Sequence, residues 1–243
     1  GGQLATLYPE KYIYDIPGYP AIKASELIDQ LEKQLTTFNH TFHLKEEVLS
    51  LTREDEVIEI TTNKGIHYSK AVILALGNGS FQPRKLNLDN AESFENHGLD
   101  YFVNDLMKYA GKKVAIAGGG DSAIDWTLML EPIAVNLLTP YLIDGLSGNN
   151  GELTDIRLKK VKSDETIDLM IDSLIVNYGF SSNLEHLSSW GLDSTRNAIT
   201  VKSDMSTSSP GVYAAGDICT YEGKVKLIAT GLGEAPTAVN NAL

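Results

Sequence analysis

The chain has 243 residues, of which 42% are hydrophobic and 21% charged, which is typical of a globular protein able to bury a sizeable core. Its 32 acidic residues outnumber its 20 lysines and arginines, and the resulting net charge of −12 argues against non-specific binding to nucleic acid or to an anionic membrane. No run of 18 apolar residues occurs, so the sequence predicts no membrane-spanning helix.

The first third of the chain predicts one amphipathic helix followed by strands. Leu27, Ile28, Leu31 and Leu35 recur at helical spacing and indicate a helix over residues 25–38. Alternating apolar residues predict strands, and the Asn-Lys-Gly sequence at 63–65 is typical of a hairpin turn between two of them. The predicted strands cover residues 41–51, 57–62, 66–69 and 70–76.

The centre of the chain predicts a strand, a glycine turn and a helix in direct succession. The apolar residues 114–117 suit a strand covered on both faces, and residues 122–131 suit a helix. Gly118, Gly120 and Ala123 have the G-x-G-x-x-(G/A) spacing of a dinucleotide-binding turn. There the glycines allow a tight turn and close approach of a pyrophosphate, although any tight strand-to-helix turn favours glycine.

The remaining segments alternate strands with glycine-containing loops. A short strand-like piece is predicted at 135–143, a turn at 144–151 and a closing helix at 237–243. Further strands are predicted at 154–161, 166–171, 173–176, 199–203 and 211–215. This succession predicts an α/β protein with parallel sheets.

A second candidate site follows the apolar strand that ends in Gly216-Asp217. Ligands bind at the carboxyl edge of open α/β sheets, where the Asp217 carboxylate could accept a hydrogen bond from a sugar or ribityl hydroxyl. An aspartate that caps the following turn is the alternative. The glycine-rich residues 231–235 favour the ligand interpretation, because a helix that begins there would offer free N–H groups.

Together these motifs resemble one family, the thioredoxin-reductase-like ferredoxin–NADP⁺ reductases, which are flavoproteins with two dinucleotide-binding domains. The resemblance extends along nearly the whole chain. It is carried by Gly-Gly-Gln-Leu at the start, by Gly-Gly-Gly-Asp-Ser-Ala at 118–123, and by residues 7–15 and 215–224.

The resemblance implies a discontinuous FAD domain, residues 1–104 and 205–243, into which an NADPH domain, residues 105–204, is inserted. Both domains would be Rossmann-like and three-layered. Gly118, Gly120 and Ala123 would bind the NADPH pyrophosphate, and Tyr8 would stack on the isoalloxazine ring. Residues implied to contact FAD are Gln3, Tyr8, Val48, Phe81 and Asp217.

The chain also departs from the family pattern. The family's first strand and its FAD pyrophosphate turn do not precede Gly1, and the family's tail does not follow Leu243. After the central helix, neither the next strand nor the arginines that hold the NADPH 2′-phosphate are present. Ala134 instead passes directly to strand-like residues without a turn, which predicts that residues are missing between Ala134 and Val135.

The cysteine count limits the electron path. Cys219 is the single cysteine, so the chain has no C-x-x-C pair, and Cys219 is interpreted as a small buried hydrophobic residue. The absence of disulfides points to a reducing compartment, here the cytoplasm. The flavin would then pass electrons directly to an external carrier, ferredoxin or flavodoxin.

No catalytic acid or base is predicted, because hydride transfer from NADPH to FAD is cofactor chemistry. His40, His43, His67 and His186 have no spacing that suggests a metal-ligand set, and no metal is predicted. The family and the Tyr- and Pro-rich start predict a homodimer. The alternative function is a non-catalytic dinucleotide-binding or redox-sensing module that kept this fold.

Overall fold

The computed structural model describes residues 2–7, 9–132, 141–183 and 185–243. The helices are α1 Gly2–Leu7, α2 Ala24–Leu35, α3 Ala91–Phe94, α4 Asp121–Leu130 and α5 Ile228–Ala242. Short 3₁₀ helices cover Leu106–Tyr109, Glu185–Trp190 and Gly216–Ile218. The strands of the first half are β1 Tyr12–Ile13, β2 Ile22–Lys23, β3 Val48–Glu54, β4 Val57–Thr62, β5 Ile66–Ser69, β6 Val72–Leu74, β7 Ser80–Pro83, β8 Leu99–Asp100 and β9 Val114–Ala117.

The strands of the second half are β10 Tyr141–Asn149, β11 Glu152–Lys160, β12 Thr166–Met170, β13 Ser173–Val176, β14 Phe180–Asn183, β15 Ser194–Thr195, β16 Ala198–Thr200, β17 Val212–Ala214 and β18 Cys219–Thr220. Mixed helices and strands, with the parallel pairs β9–β13 and β6–β17, confirm the α/β class. Within the described ranges, no helix has both the length and the apolar character needed to cross a membrane.

The chain divides into two compact units. Unit 1 comprises residues 1–81 and 182–243, and unit 2 comprises residues 82–181. The chain crosses between them in β7 and β14, which pair with each other. One unit is therefore discontinuous and the other is inserted into it.

The observed boundaries of the units precede the predicted domain boundaries at 104/105 and 204/205. Residues 82–104 belong to unit 2, because β8 pairs with β13 and Phe94 packs in the same core. Residues 182–204 belong to unit 1, because β16 pairs in parallel with β18. The assignment of FAD to one unit and NADPH to the other is taken up below as a proposal.

Unit 2 has three layers around a parallel sheet of strand order β8-β13-β9. Side chains alternate across a strand, so Val114, Ile116 and Ile175 face α4, where Trp126 and Leu130 complete the cluster. Ala115, Leu174 and Val176 pack instead with the antiparallel meander β10–β12. The sheet is thus covered on both faces, as its continuous apolar sequence predicts.

Unit 1 is built on the parallel pair β6–β17, in register Val72↔Val212 and Leu74↔Ala214. Its core joins Leu74 and Ala214 to Ile58 of the meander β3–β5 and to Ala238 of α5. Since β6 and β17 run in the same direction, the loops after Leu74 and Ala214 leave the sheet at the same edge.

Several predicted elements differ from the observed ones. The strand predicted at 41–51 begins only at Val48, because Lys45 has a positive φ of 55° that interrupts extended backbone. The turn predicted at 144–151 is wrong for residues 144–149. Strand β10 continues to Asn149, and its glycines mark register shifts rather than a turn. A Cβ on Gly148 would lie 2.4 Å from Cε1 of Phe94.

The hairpin turn itself is Asn150-Gly151, and both residues have positive φ. The closing helix, predicted to open in the glycine-rich residues from 231 and to run over 237–243, begins at Ile228. Gly231 and Gly233 therefore lie inside a helix. Residues 133–140, which include the junction of Ala134 and Val135, lie outside the described residues.

Candidate functional site

The first candidate site is the turn between β9 and α4 in unit 2. A Cβ on Gly118 would lie 2.6 Å from the carbonyl oxygen of Asn177 and 3.1 Å from Cβ of Ala123. Asn177 follows β13 and donates its backbone N–H to Ala117. Gly118 is therefore needed for close packing of the sheet and the helix, and this packing also explains the small, buried Ala123.

Gly120 has the opposite surroundings. It is exposed, its φ of −101° suits any residue, and a Cβ on it would meet no atom within 4 Å. The first α4 hydrogen bonds are donated by Ala123 and Ile124 to the Gly120 carbonyl, so the N–H groups of Asp121 and Ser122 precede the helical ladder. This geometry offers donors and open space to an anion.

The turn opens onto a cavity of about 840 Å³. The cavity runs along β9, past residues 118–122, to residues 177–180 after β13, with the meander β10–β12 opposite. The part of it at residues 118–122 and 177–180 lies at the carboxyl ends of two parallel strands, where α/β folds bind ligands. Its volume is within the range of small-molecule and cofactor sites.

The second candidate site lies in unit 1, where the loops after β6 and β17 meet. Nδ2 of Asn78 is 3.5 Å from Oδ2 of Asp217, and Nζ of Lys226 is 3.4 Å from Oδ1 of Asn78. Asp217 is half-buried. Gly77, Gly79 and Gly216 all have positive φ, so both loops turn sharply as they leave the sheet.

A buried ion pair holds the backbone of Gly216, the residue before Asp217. Gly216 donates its N–H to Oε2 of Glu234 at 2.8 Å, and Nζ of Lys224 donates to the Gly216 carbonyl at 3.1 Å. Lys224 and Glu234 also pair directly, and their side chains are only 5% and 4% exposed. Tyr221 donates its hydroxyl to Oε1 of Glu234 at 2.7 Å.

These contacts shift the pKa values of Glu234, Tyr221 and Cys219. Burial acts to raise the pKa of Glu234, but hydrogen bonds from Lys224, Tyr221 and Gly216 outweigh it and leave that pKa below its ordinary value. The hydrogen bond to Glu234 raises the pKa of Tyr221 to about 12. Burial, and then the Glu234 charge, raise the pKa of Cys219.

Cys219 is fully buried, as predicted, but its surroundings are partly polar. Its Sγ lies 3.3 Å from the Gly216 carbonyl oxygen and 3.5 Å from Nζ of Lys224. It is the free cysteine of the chain. A raised pKa keeps the thiol protonated near neutrality, and the thiol is a weak nucleophile in that form.

Helix α5 packs directly on this turn. A Cβ on Gly231 would lie 3.3 Å from Cα of Gly216, and Gly231 donates its N–H to Leu227. The free N–H groups at the start of α5 are therefore those of residues 228–230. The prediction that residues 231–235 provide them is wrong, because the helix begins three residues earlier.

The remaining predicted flavin contacts are distributed over unit 1. Gln3 lies half-buried in α1, and Val48 begins β3 opposite Thr62. Tyr8 and the side chain of Phe81 lie outside the described residues. The structure adds Asn78, Lys224 and Glu234 to the candidate residues. Glycine spacing did not reveal them, since only the fold brings them to Gly216 and Asp217.

Comparison with known proteins identifies the family. Models of the pyridine nucleotide-disulphide oxidoreductases match residues 13–138 and 130–242. A ferredoxin–NADP reductase from Enterococcus faecalis is 57% identical over 100% of this chain and 80% of its own length. Ferredoxin–NADP reductase 2 from Bacillus subtilis is 51% identical over 100% of the chain and 81% of its own length.

The chain belongs to the ferredoxin–NADP reductase family. The resemblance drawn from its motifs is thereby confirmed. Among solved structures, the thioredoxin reductases of Lactococcus lactis and T. acidophilum have TM-scores of 0.74 and 0.75 to this reductase-family chain. Each thioredoxin reductase is 21% identical to this chain, and the match covers 100% of this chain and 86% of the thioredoxin reductase. At this identity the two structures show the shared fold alone.

Proposed function

We propose that this chain acts as an NADPH-dependent flavoprotein reductase that transfers electrons between NADPH and ferredoxin or flavodoxin through FAD. The observation that carries the proposal is the Gly118–Ala123 turn, which ends a buried parallel strand and opens onto a nucleotide-sized cavity. The relatives at 49–57% identity, each named ferredoxin–NADP reductase, support the same activity.

We assign NADPH to unit 2. The open space at Gly120 and the N–H groups of Asp121 and Ser122 suit the pyrophosphate. Gly118 and Ala123 act indirectly, because their small size allows α4 to approach β9 and β13. The turn therefore provides both the open donor groups and the close packing of helix on sheet that a dinucleotide site requires.

We assign FAD to unit 1, with Asp217 accepting a hydrogen bond from a hydroxyl of the cofactor. Gln3, Tyr8, Val48 and Phe81 complete the proposed contact set. The N–H groups that begin α5 suit an electron-rich ring edge beside Asp217. When bound, FAD would supply the chemistry that links two-electron hydride transfer to one-electron transfer. The protein would hold the cofactor in position and set its electrostatic environment.

The proposed path needs no redox-active disulfide. The single cysteine of the 243 residues, Cys219, is buried, and its raised pKa keeps the thiol protonated near neutral pH. The carrier therefore receives electrons directly from the flavin. Replacing Cys219 by alanine should leave carrier reduction intact, which distinguishes this path from dithiol relay.

We also propose that residues are missing between Ala134 and Val135. The match to the E. faecalis protein runs over 270 residues, an excess of 27 over the 243 of this chain. Strand β9 supports the same proposal, since it is the edge of its sheet within the described residues although Val114, Ala115 and Ile116 are buried. A strand after α4 would pair with that edge.

We further propose a cytoplasmic homodimer. Large side chains near the start of unit 1 remain exposed, including Tyr14 at 72% and Leu44 at 72%. Tyr12, Tyr19, Phe38 and Phe42 are exposed as well. Apolar surface of this kind is typical of an interface, here with a second copy of the chain.

The test is stopped-flow reduction of the full-length protein by NADPH and by NADH, followed by electron transfer to ferredoxin or flavodoxin. A yellow protein whose flavin absorbance bleaches with NADPH, and whose Cys219→Ala variant still reduces the carrier, is the expected result. A colourless full-length protein, or one that no nicotinamide nucleotide bleaches, would instead favour the non-catalytic module.

A further inference from the structure

Three side chains that neither cofactor site uses converge beside the meander β3–β5 of unit 1. Nδ1 of His43 lies 3.2 Å from Oε2 of Glu46, and Nε2 of His67 lies 2.7 Å from Oε1 of the same carboxylate. One nitrogen or oxygen from each residue lies within 4.8 Å of the other two. The two imidazole rings meet edge to face, with centroids 4.7 Å apart.

We propose that His43, Glu46 and His67 bind one divalent transition-metal ion, for which Zn²⁺ is the best match. Two imidazoles and one carboxylate suit Zn²⁺, Cu²⁺ or Ni²⁺, whereas Mg²⁺ and Ca²⁺ prefer oxygen ligands. Three protein ligands leave a fourth tetrahedral position for water. The sequence did not reveal this set, because His67 is far from His43 along the chain and only the hairpin brings it back.

The distances suit tetrahedral coordination. Bonds of about 2.0–2.1 Å at tetrahedral angles separate ligand atoms by about 3.3 Å. The 3.2 Å from Nδ1 of His43 to Oε2 of Glu46 is already close to this value. The 2.7 Å from Nε2 of His67 ends on the other oxygen, Oε1, so one imidazole has to shift until both rings lie about 3.3 Å from the single oxygen that binds the ion. The His43 and His67 side chains are 54% and 39% exposed, so both rings have room to adjust.

The carboxylate is already held in place. The Glu46 side chain is only 8% exposed, and the Thr62 hydroxyl donates to its Oε1 at 2.7 Å. The Thr62 oxygen in turn accepts the N–H groups of Lys64 and Gly65, which ties it to the β4–β5 turn. His67 stands in β5 opposite Ile60. Such an outer hydrogen bond is the usual support of a metal-binding carboxylate.

The charge of the cluster also favours a cation. Across the part of the chain that the structure describes, the ion pairs of Glu46 are with His43 and His67 alone. The nearby ammonium of Lys64 donates to the Leu44 carbonyl. A nearly buried carboxylate that lacks a permanently charged cationic partner is stabilised by a bound divalent ion.

The test is isothermal titration of ZnCl₂ into untagged, flavin-loaded full-length protein that a chelator has freed of metal. We expect saturation at one Zn²⁺ per chain, with MgCl₂ giving no comparable binding. His67→Ala and Glu46→Gln should each weaken Zn²⁺ binding at least about tenfold. His40→Ala, an exposed histidine of the same loop outside the cluster, should bind as the wild type does.

A second measurement identifies the ligands. Co²⁺ in the same site should give the intense visible absorption of a tetrahedral complex, which Glu46→Gln should abolish even if His67→Ala fails to fold. Non-saturable Zn²⁺ uptake, or an equal loss in His40→Ala and Glu46→Gln, would overturn the proposal. Flavin reduction by NADPH is independent of this result, so the two proposals can fail separately.

Discussion

At the scale of single residues, the Lys224–Glu234 pair is the feature that controls the loop carrying Asp217. Glu234 accepts the Gly216 N–H, and Lys224 donates to the Gly216 carbonyl. Both backbone polar groups of one residue, Gly216, are thus held by a pair of charges that is itself buried. Removing one charge leaves the other without a partner in a low-dielectric environment, which is strongly destabilising.

Glu234→Gln should therefore destabilise the protein by about 3–5 kcal/mol at neutral pH. The folded-state pKa of Glu234 lies below its ordinary value, so its ionised form stabilises the fold above about pH 4.5, and this contribution is lost as the pH falls through the folded-state pKa. Denaturant unfolding of both proteins from pH 7 to pH 4 measures the effect. The difference between them should shrink toward acid, and a difference that grows would contradict the assignment.

The two outer glycines of the proposed nucleotide turn, Gly118 and Gly120, should respond differently to substitution. Gly120→Val places a side chain in open space, so folding should be little changed while NADPH affinity falls at least about tenfold. Gly118→Ala should instead cost about 1–3 kcal/mol of stability, because its Cβ would collide with the Asn177 carbonyl.

Nucleotide titration and thermal unfolding of the full-length variants separate these two effects. Unchanged NADPH affinity in Gly120→Val would show that the turn is not the pyrophosphate site. Since the φ of Gly120 suits any residue, backbone strain does not complicate the result.

At the scale of elements, α5 approaches the Gly216 turn so closely that a glycine is needed at position 231. Gly231→Ala should push the helix a few tenths of an ångström from the turn and lower FAD affinity, since a Cβ there would lie 3.3 Å from Cα of Gly216. Gly233→Ala is the matched control, because its Cβ would contact nothing within 4 Å.

Flavin fluorescence during titration measures the affinity, and unfolding curves measure stability. Gly233→Ala should stabilise the protein by up to about 1 kcal/mol through helix propensity, with FAD affinity retained. Equal FAD affinity in the two variants would mean that the spacing between α5 and the turn does not affect the flavin site.

The sequence predicted elements well where a single local pattern decides them. Strands Val57–Thr62 and Val114–Ala117 have the predicted bounds, because alternation or a continuous apolar run suffices to define each. It failed for β10, where glycine serves register shifts rather than a turn, and for the start of α5, where glycines lie inside a helix. In both cases tertiary packing overrides the local meaning of glycine.

The candidate sites, like the elements, were predictable only where a local sequence pattern determines them. The turn at Gly118–Ala123 was predictable because strand, turn and helix are consecutive. The contacts of Gly216 with Lys224 and Glu234, and the convergence of His67 on Glu46, depend on how distant segments fold together. No local pattern in the sequence specifies them.

At the scale of the whole molecule, exposed aromatic side chains near the start of unit 1 predict self-association. Tyr14→Glu should shift the full-length protein from dimer toward monomer, because a carboxylate would have to be buried in the proposed interface. Met107→Glu, at a 70% exposed position of unit 2, is the control and should not change the mass.

Light scattering across micromolar concentrations, with both variants flavin-loaded, gives the masses. A monomeric wild type, or a Tyr14→Glu variant that remains dimeric, would contradict the proposed interface. The expected shift should depend on protein concentration, since association follows mass action.

The insertion of unit 2 between β6 and β17 has a consequence for biosynthesis. Val72 pairs with Val212, and all of residues 82–181 leave the ribosome after Val72 but before Val212. Unit 2 can fold as soon as it has emerged, whereas the sheet of unit 1 waits for Val212–Ala214 and α5. Asp217 and the Lys224–Glu234 pair then emerge last, so at the proposed flavin site in unit 1 we expect FAD to be captured late in the maturation of each nascent chain.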